Sequence, residues 1–298
     1  TGFDLALNFD TKSSGNFNWT SNLITSKYKN RVNEIVDGLP LTQEVNTNGF
    51  LPVTVTNTLV GQPIGMFWGY KTDGLFTSVD QFDNAPAQFG QTFGSAPGQT
   101  YLGDVKYVDV NNDGAIDERD KTVIGNPHPD FTFGFTNTFR YKNFDLSAFV
   151  QFSGGNQIYN NNRAFAEGMN SIFGQYATVL NRWTPTNTNT NIPRAVSSDP
   201  NRNARPSTRF LEDGSFLRLK NVMLGYTVPV SFLNTHTKGS VKSLRLYVSA
   251  QNVLTLTKYS GYDPEVGNRT PGSSLTNGID FAVYPQPKSF QAGIQVSF

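Results

Sequence analysis

Apolar and polar residues alternate along several stretches of this chain, which is the pattern of β-strands with two different faces. Near the C-terminus, for example, Phe290, Ala292, Ile294, Val296 and Phe298 are separated by polar residues and glycine. The alternation predicts seven strands, at 3–9, 16–28, 131–141, 144–153, 209–228, 244–256 and 289–298. The chain is therefore expected to be all-β.

The segments between these predicted strands differ systematically in length. The connections after the first, third and fifth strands are short, and Lys142-Asn143 is a two-residue turn. Those after the second, fourth and sixth strands are long and cover 29–130, 154–208 and 257–288. Short turns at one end and long loops at the other are typical of antiparallel outer-membrane β-barrels, whose short turns are periplasmic. A soluble β-sandwich with long loops is the alternative, but it gives no reason for the loops to segregate.

The odd number of predicted strands bears on how such a sheet could close. Bacterial single-chain barrels have an even number of strands, with both ends in the periplasm. Seven strands would leave two edges unpaired in lipid, so we expect an N-terminal part outside this sequence to complete the barrel. The terminal segment Gln291–Phe298 resembles the signal that the barrel-assembly machinery reads. The alternative is an ordinary alternating strand that ends the chain.

Composition supports β-structure and excludes several classes of function. The 298 residues include 24 Phe, 12 Tyr and 3 Trp, and aromatic residues favour strands. The 24 basic and 23 acidic residues nearly cancel, so no nucleic-acid-binding surface is predicted. There is no cysteine, which excludes disulfides and thiol catalysis. No apolar run reaches the roughly 18 residues of a transmembrane helix. Neither His128 nor His236 lies in a catalytic motif, so no enzyme activity is predicted.

Residues 109–120 have the spacing of an EF-hand-like calcium loop, which presents hard oxygen ligands to the ion. Gly114 at the sixth position allows a sharp turn, and Ile116 would anchor the loop in a local core. Asp120 replaces the longer glutamate of many such loops, which favours monodentate binding or a smaller ion such as Mg²⁺. The predicted Ca²⁺ ligands are Asp109, Asn111, Asp113, the carbonyl of Ala115, Asp117 and Asp120. A metal-free turn rich in Asp, Asn and Gly is the alternative. We expect a structural clip that orders an extracellular loop at 100–130.

The long connections also carry side chains that could contact a ligand, although packing of the connections against one another is the favoured interpretation. The aromatic candidates are Trp68, Tyr70, Tyr159, Phe173, Tyr176 and Trp183. The basic candidates are Arg163, Arg182, Arg194, Arg202 and Arg205. A charge cluster at the lumen or rim of the barrel is predicted from Arg209, Glu212, Asp213, Arg218 and Lys220.

Several sequence blocks resemble the C-terminal portion of SusC/RagA-like TonB-dependent outer-membrane transporters of Bacteroidetes. The blocks are VGQPIGMFWGYKTDGLF at 60–76, 103–120 beginning with GDVKYVD, IGNPHPD at 124–130, YKNFDLS at 141–147, RWTP at 182–185, RFLEDGSFLRLKNV at 209–222, SAQNVLT at 249–255 and YDPEV at 262–266. Their order and spacing match over nearly the whole chain, which makes the resemblance more specific than any single motif.

The resemblance implies a transmembrane β-barrel of about 22 strands in the outer membrane of a Gram-negative bacterium. Residues 1–298 would be its C-terminal segment, with long extracellular loops, and the plug domain and N-terminal strands would lie outside this sequence. The implied function is TonB-dependent uptake of a nutrient such as an oligosaccharide or a peptide, without chemistry on it. The implied partners are a SusD-like surface lipoprotein, TonB and outer-membrane lipid. The alternative is a secreted or surface calcium-binding β-protein, acting as an adhesin or a carbohydrate-binding module.

Overall fold

The structure, a computed structural model, describes residues 1–11, 16–47, 51–96, 98–170, 174–267 and 273–298. The strands are β1 (Gly2–Asp10), β2 (Phe17–Tyr28), β3 (Leu41–Thr47), β4 (Leu51–Thr58), β5 (Met66–Gly69), β6 (Thr72–Leu75), β7 (Ala87–Gln88), β8 (Val105–Tyr107), β9 (Ala115–Ile116), β10 (Thr122–Gly125), β11 (Phe131–Tyr141), β12 (Phe144–Gly154), β13 (Gln157–Asn160), β14 (Leu211–Asp213), β15 (Phe216–Thr227), β16 (Ser243–Thr257), β17 (Ile279–Asp280) and β18 (Ser289–Ser297). The helices are α1 (Asn161–Ala166) and α2 (Val230–Thr237). The 3-10 turns are Val36–Gly38, Val79–Gln81, Glu118–Asp120, Ala177–Asn181, Thr208–Phe210 and Ser274–Thr276.

Seven strands form one antiparallel sheet whose strand order follows the chain. The order is β1-β2-β11-β12-β15-β16-β18, and each neighbouring pair is antiparallel. The seven strands predicted from alternation are therefore confirmed, and β11 has the predicted bounds, Phe131–Tyr141. Within the described ranges, β1 pairs only with β2 and β18 only with β16, so this sheet has two open edges.

The fifth of these strands, β15, begins later than the pattern predicts. The prediction of one strand over 209–228 is wrong at its start, because β15 begins at Phe216 and β14 pairs with β13 in a different sheet. In β15, Lys220 is an extra residue between the pairs Asn221↔Phe149 and Leu219↔Val150. Such a bulge exchanges the faces on which later side chains lie, so no single alternation describes the whole segment.

One face of the seven-stranded sheet carries exposed apolar side chains. On the edge strand β1, Phe3 is 57% and Leu7 is 53% exposed, and on β16 Val248 is 54% exposed. A row of apolar residues in paired positions crosses six strands: Leu7, Leu23, Phe135, Val150, Leu219 and Leu254. Soluble monomers rarely expose continuous apolar surface of this kind, because burying such surface against an apolar neighbour is favourable.

The connections at the two ends of the sheet differ in length, as the sequence predicts. The turn between β11 and β12 consists of Lys142 and Asn143, and Lys142 adopts a left-handed φ of 52°. The connection after β15 covers 228–242 and contains α2, whose C-cap residue Lys238 has a left-handed φ of 53°. The turn between β1 and β2 lies largely outside the described residues. In the described parts of the chain, no helix combines the length and apolar character needed to cross a membrane.

At the opposite end, the three long connections pack together instead of forming separate loops. Their strands form a four-stranded sheet, a three-stranded sheet and two strand pairs. One buried cluster joins all three connections: Val55, Phe67, Tyr159, Ala164, Phe210 and Ile279. A second cluster consists of Tyr70, Leu75, Val105, Tyr107, Ile116 and Trp183. The long connections therefore form a layer with its own hydrophobic cores on one end of the sheet, and the candidate sites lie in this layer.

Candidate functional site

The predicted calcium loop lies between β8 and β10, and it is anchored as the sequence predicts. Ile116 is 1% exposed and belongs to the second buried cluster. Asn112 and Gly114 have φ values of 59° and 85°, which produce the sharp turn. Glycine populates this left-handed region without the steric cost that a side chain carries. The anchor and the turn are thus both confirmed.

The acidic side chains of this loop accept hydrogen bonds from its own backbone. The Asp109 carboxylate accepts from the N–H groups of Asn112 and Gly114, at 2.6 and 2.8 Å. Asp120 is fully buried, and its carboxylate accepts from Val110 N–H at 2.9 Å and Asp117 N–H at 2.8 Å. Side-chain acceptors of this kind stabilise a turn by satisfying amides that have no strand partner.

Arg119 supplies a positive charge within the same loop. Its Nη2 lies 2.7 Å from carboxylate oxygens of both Asp113 and Asp117. Hydrogen bonds from Arg119 hold the pKa of Asp117 below its ordinary value. Among the residues that the structure describes, no three His, Asp or Glu side chains are grouped as a metal site. The carboxylates of this loop bond to its own amides and to Arg119, and calcium binding by the six predicted ligands stays a prediction.

Calcium binding would make the stability of the loop depend on the ion. At a Ca²⁺ concentration of about 100 Kd, binding would stabilise the loop by about 2.7 kcal/mol, or about 100-fold in local opening. We expect proteolytic cleavage of the full-length protein within 100–130 to become about 100-fold faster in EDTA than in Ca²⁺. The seven-stranded sheet should remain folded in both conditions. Asp109→Ala should abolish the difference between the two conditions. Equal cleavage of the unmodified protein with Ca²⁺ and with EDTA would instead favour the metal-free turn.

Two arginines and two glutamates form a buried ion cluster beside α1. Arg163 lies 3.0 Å from Glu167, one helical turn away, and 3.1 Å from Glu212 on β14. Arg209 contacts the second oxygen of Glu167 at 2.8 Å. Burial lowers the pKa of Arg209 to about 10, so its guanidinium is still charged at neutral pH. The two positive and two negative charges cancel, and the cluster joins α1, β14 and the preceding 3-10 turn.

A second buried ion cluster attaches the third long connection to the sheet. Arg218 on β15, 2% exposed, donates to Asp263 at 2.6 Å and to Glu265 at 2.8 Å. Lys220 also donates to Glu265, at 2.8 Å. Burial opposes ionisation of Asp263, but backbone N–H groups and Arg218 hold its pKa below the ordinary value.

The single charge cluster predicted from Arg209, Glu212, Asp213, Arg218 and Lys220 is therefore wrong. Arg209 and Glu212 belong to the cluster beside α1, whereas Arg218 and Lys220 pair with Asp263 and Glu265. The reason is that residues 211–213 form β14, which pairs with β13 and is not part of the seven-stranded sheet. Glu167 was missed by the sequence analysis, although its position four residues after Arg163 is a recognisable helical ion-pair spacing.

Most of the other candidate side chains pack the long connections together. Arg194 pairs with Asp104 and Arg205 with Glu118. The guanidinium of Arg202 lies 5.1 Å from the ring centre of Phe89. Arg182 lies 3.5 Å from the carbonyl oxygen of Val179.

The aromatic candidates are buried to different degrees. Tyr70, Tyr159 and Trp183 are buried in the two clusters. Trp68 is partly buried, and Tyr176 is 37% exposed. Phe173 lies outside the described residues. Packing thus accounts for most of these side chains.

Comparison with known proteins gives relatives along the whole chain. The TonB-dependent receptor P3 of Formosa agariphila is 34% identical over 300 residues, covering 100% of this chain and 28% of the receptor. The TonB-dependent receptor SusC of Bacteroides thetaiotaomicron is 30% identical over 194 residues, covering 64% of this chain and 17% of SusC. No protein-family model matches the chain. The chain thus spans less than a third of the length of these curated relatives.

Solved structures show the same fold. A chain of the RagAB peptide transporter superposes with a TM-score of 0.73 at 24% identity, covering 100% of this chain and 29% of that chain. A chain of the RagAB peptide importer in the 'closed-closed' state superposes with a TM-score of 0.72 at 25% identity, and the match again covers 100% of this chain and 29% of that chain. The relatives at 25% identity or more are named as receptors and as an importer, in agreement with the prediction of no enzyme activity. The chain is therefore homologous over its whole length to part of the SusC/RagA-like TonB-dependent receptors, the family that its sequence resembles.

Proposed function

We propose that this chain is part of a TonB-dependent transporter that takes up a nutrient across the outer membrane of a Gram-negative bacterium. The observation that carries this proposal is a sheet with an exposed apolar face and with all of its long connections at one end. In an outer-membrane barrel, the apolar face meets lipid and the long connections are extracellular. The packed layer of long connections would then stand at the outer entrance of the channel.

We further propose that the sheet is the C-terminal segment of a larger closed barrel of about 22 strands. Two observations support this. First, β1 and β18 are open edges of the sheet, and in lipid their unpaired N–H and C=O groups would cost several kcal/mol each. Second, the receptor P3 is more than three times as long as the segment that the chain matches, since the chain covers 28% of it. Strands from the rest of the protein would pair with both edges.

The proposed partners are a SusD-like surface lipoprotein, TonB and the lipid of the outer membrane. Similarity to SusC and to a chain of the RagAB importer supports a complex of this kind. The substrate would be an oligosaccharide or a peptide too large for a porin. A secreted calcium-binding adhesin or carbohydrate-binding module is less consistent with the structure, because its apolar face would be exposed to water.

Fractionation and growth experiments test the proposal. We expect the full-length protein to require detergent for extraction and to co-purify with a lipoprotein. Deletion of its gene should abolish growth on some oligosaccharides or peptides offered as sole carbon source, while growth on glucose is unchanged. A strain without TonB should show the same loss. Extraction of the folded protein without detergent, or unchanged growth on every nutrient of the panel, would refute the transporter.

A further inference from the structure

Two adjoining cavities lie where the second and third long connections meet. The first has a volume of about 490 Å³ and lies above the ion cluster of Arg163 and Glu167. The second has a volume of about 430 Å³ and is lined by Phe165 and Phe281 among others. Asn162 and Tyr176 line both cavities, so the two adjoin at these residues, and together they are called the cleft. Each volume lies within the range of small-molecule binding sites, about 300–1,000 Å³.

The charged groups at the base of the first cavity are already neutralised. Glu212 accepts hydrogen bonds from Arg163 and Asn160, and also from the backbone and hydroxyl of Ser260, both at 2.8 Å. Glu167 accepts from Arg163, Arg209 and the hydroxyl of Thr178. A charged ligand would therefore lose its hydration here without meeting a free counter-ion, which is costly. The cleft favours an uncharged ligand.

The remaining walls of the first cavity combine neutral polar groups with aromatic rings. Asn162 and Asn191 contribute amides, and an amide both donates and accepts hydrogen bonds, as the hydroxyl groups of a sugar do. Tyr176 and Tyr262 are 37% and 70% exposed. Tyrosine combines a flat apolar ring with a polar hydroxyl, so it can pack against the C–H face of a sugar ring beside water. Desolvation and the neighbouring Tyr262 raise the pKa of Tyr176.

We propose that this cleft binds an uncharged segment of an oligosaccharide. One sugar ring packs against Tyr262 and is hydrogen-bonded by Asn162 and Asn191, and the next ring extends past Tyr176 into the apolar cavity. This inference rests on the proposed transport function and adds to it a site and the charge of its ligand. A peptide is the less suitable occupant, because its termini and charged side chains would find the arginines and glutamates of the cleft already paired.

Binding by purified full-length protein tests the inference. The probes are maltohexaose, laminarihexaose and mannohexaose as neutral oligosaccharides, hexagalacturonic acid as an anionic one, and a tryptic peptide mixture. We expect binding of at least one neutral probe, and Tyr262→Ala should weaken it about tenfold, which is about 1.4 kcal/mol. Tyr284→Ala is the matched control, because Tyr284 is 85% exposed in the same connection and lines neither cavity. This control should change the affinity less than twofold.

The outcomes separate this inference from the proposed function. Binding of only the anionic or peptide probes, or of no probe, would overturn the inference. So would a neutral probe whose affinity Tyr262→Ala changes no more than Tyr284→Ala does. In each of these cases the transport proposal would still be decided separately, by detergent extraction and by TonB-dependent growth.

Discussion

Replacing Arg218 with methionine should lower the free energy of unfolding of the full-length protein by about 3–5 kcal/mol. Arg218 and Asp263 are 2% and 5% exposed at their side chains, and their contact distance is 2.6 Å. Removal of the guanidinium leaves the Asp263 carboxylate buried without its counter-ion, and the penalty of that buried charge dominates the loss. Urea titration of the protein in detergent micelles measures the change. Protease cleavage within 258–288 should also increase, because the connection loses its attachment to β15.

Two further variants show whether the loss comes from the unpaired buried charge. Asp263→Asn combined with Arg218→Met removes both charges and keeps one acceptor oxygen, which can bond to one of the two N–H groups, of Glu265 and Gln286, that the carboxylate accepts from. This double variant should recover most of the lost stability. Lys106→Met removes a surface ion pair with Asp73, whose side chain is 70% exposed, and should cost at most about 1 kcal/mol. If Arg218→Met lowered the free energy of unfolding no more than Lys106→Met does, the buried pair would not be what stabilises the third connection on the sheet.

The seven strands of the large sheet could be predicted because their physical cause is local. A strand with one apolar and one polar face repeats every two residues, and neither partner strands nor distant contacts are needed to see that repeat. The bounds of β11 agree to the residue for this reason. The start of β15 could not be predicted, because the segment before it, β14, pairs with β13 in another sheet. The bulge at Lys220 could not be predicted either, because it depends on the pairing of β15 with β12.

The layer of long connections could not be predicted, because its cores join segments that are far apart in the sequence. Phe67, Phe210 and Ile279 pack in one cluster, yet each lies in a different connection. Arg218 and Asp263 are 45 residues apart, and no local pattern links them. Within 109–120, by contrast, the turn at Gly114 and the anchor at Ile116 were predictable, because they depend only on neighbouring residues. The pairing of Arg119 with Asp113 and Asp117 is also local, but the spacing of a calcium loop does not include it.

The same alternation makes the orientation of the sheet in a membrane testable residue by residue. Val248 lies near the middle of β16, is 54% exposed and pairs with Leu224 and Ala292, two other apolar residues. If this face meets lipid, Val248→Arg should cost about 2–4 kcal/mol, the range for arginine at the bilayer midplane. The cause is the transfer of a guanidinium into hydrocarbon. Urea titration of the full-length protein folded in lipid vesicles measures this cost.

The adjacent Ser249 provides the matched control, because successive residues of a strand point to opposite faces. It pairs with Met223 and Gln291, and in a barrel it would face the interior. Ser249→Arg should therefore cost about 1 kcal/mol or less, since water and polar groups in the lumen can solvate the new charge. Equal costs at the two positions would contradict a lipid-facing surface. A Val248→Arg variant as stable as the unmodified protein would also contradict a lipid-facing surface, because an arginine exposed to water on a soluble protein has no such penalty.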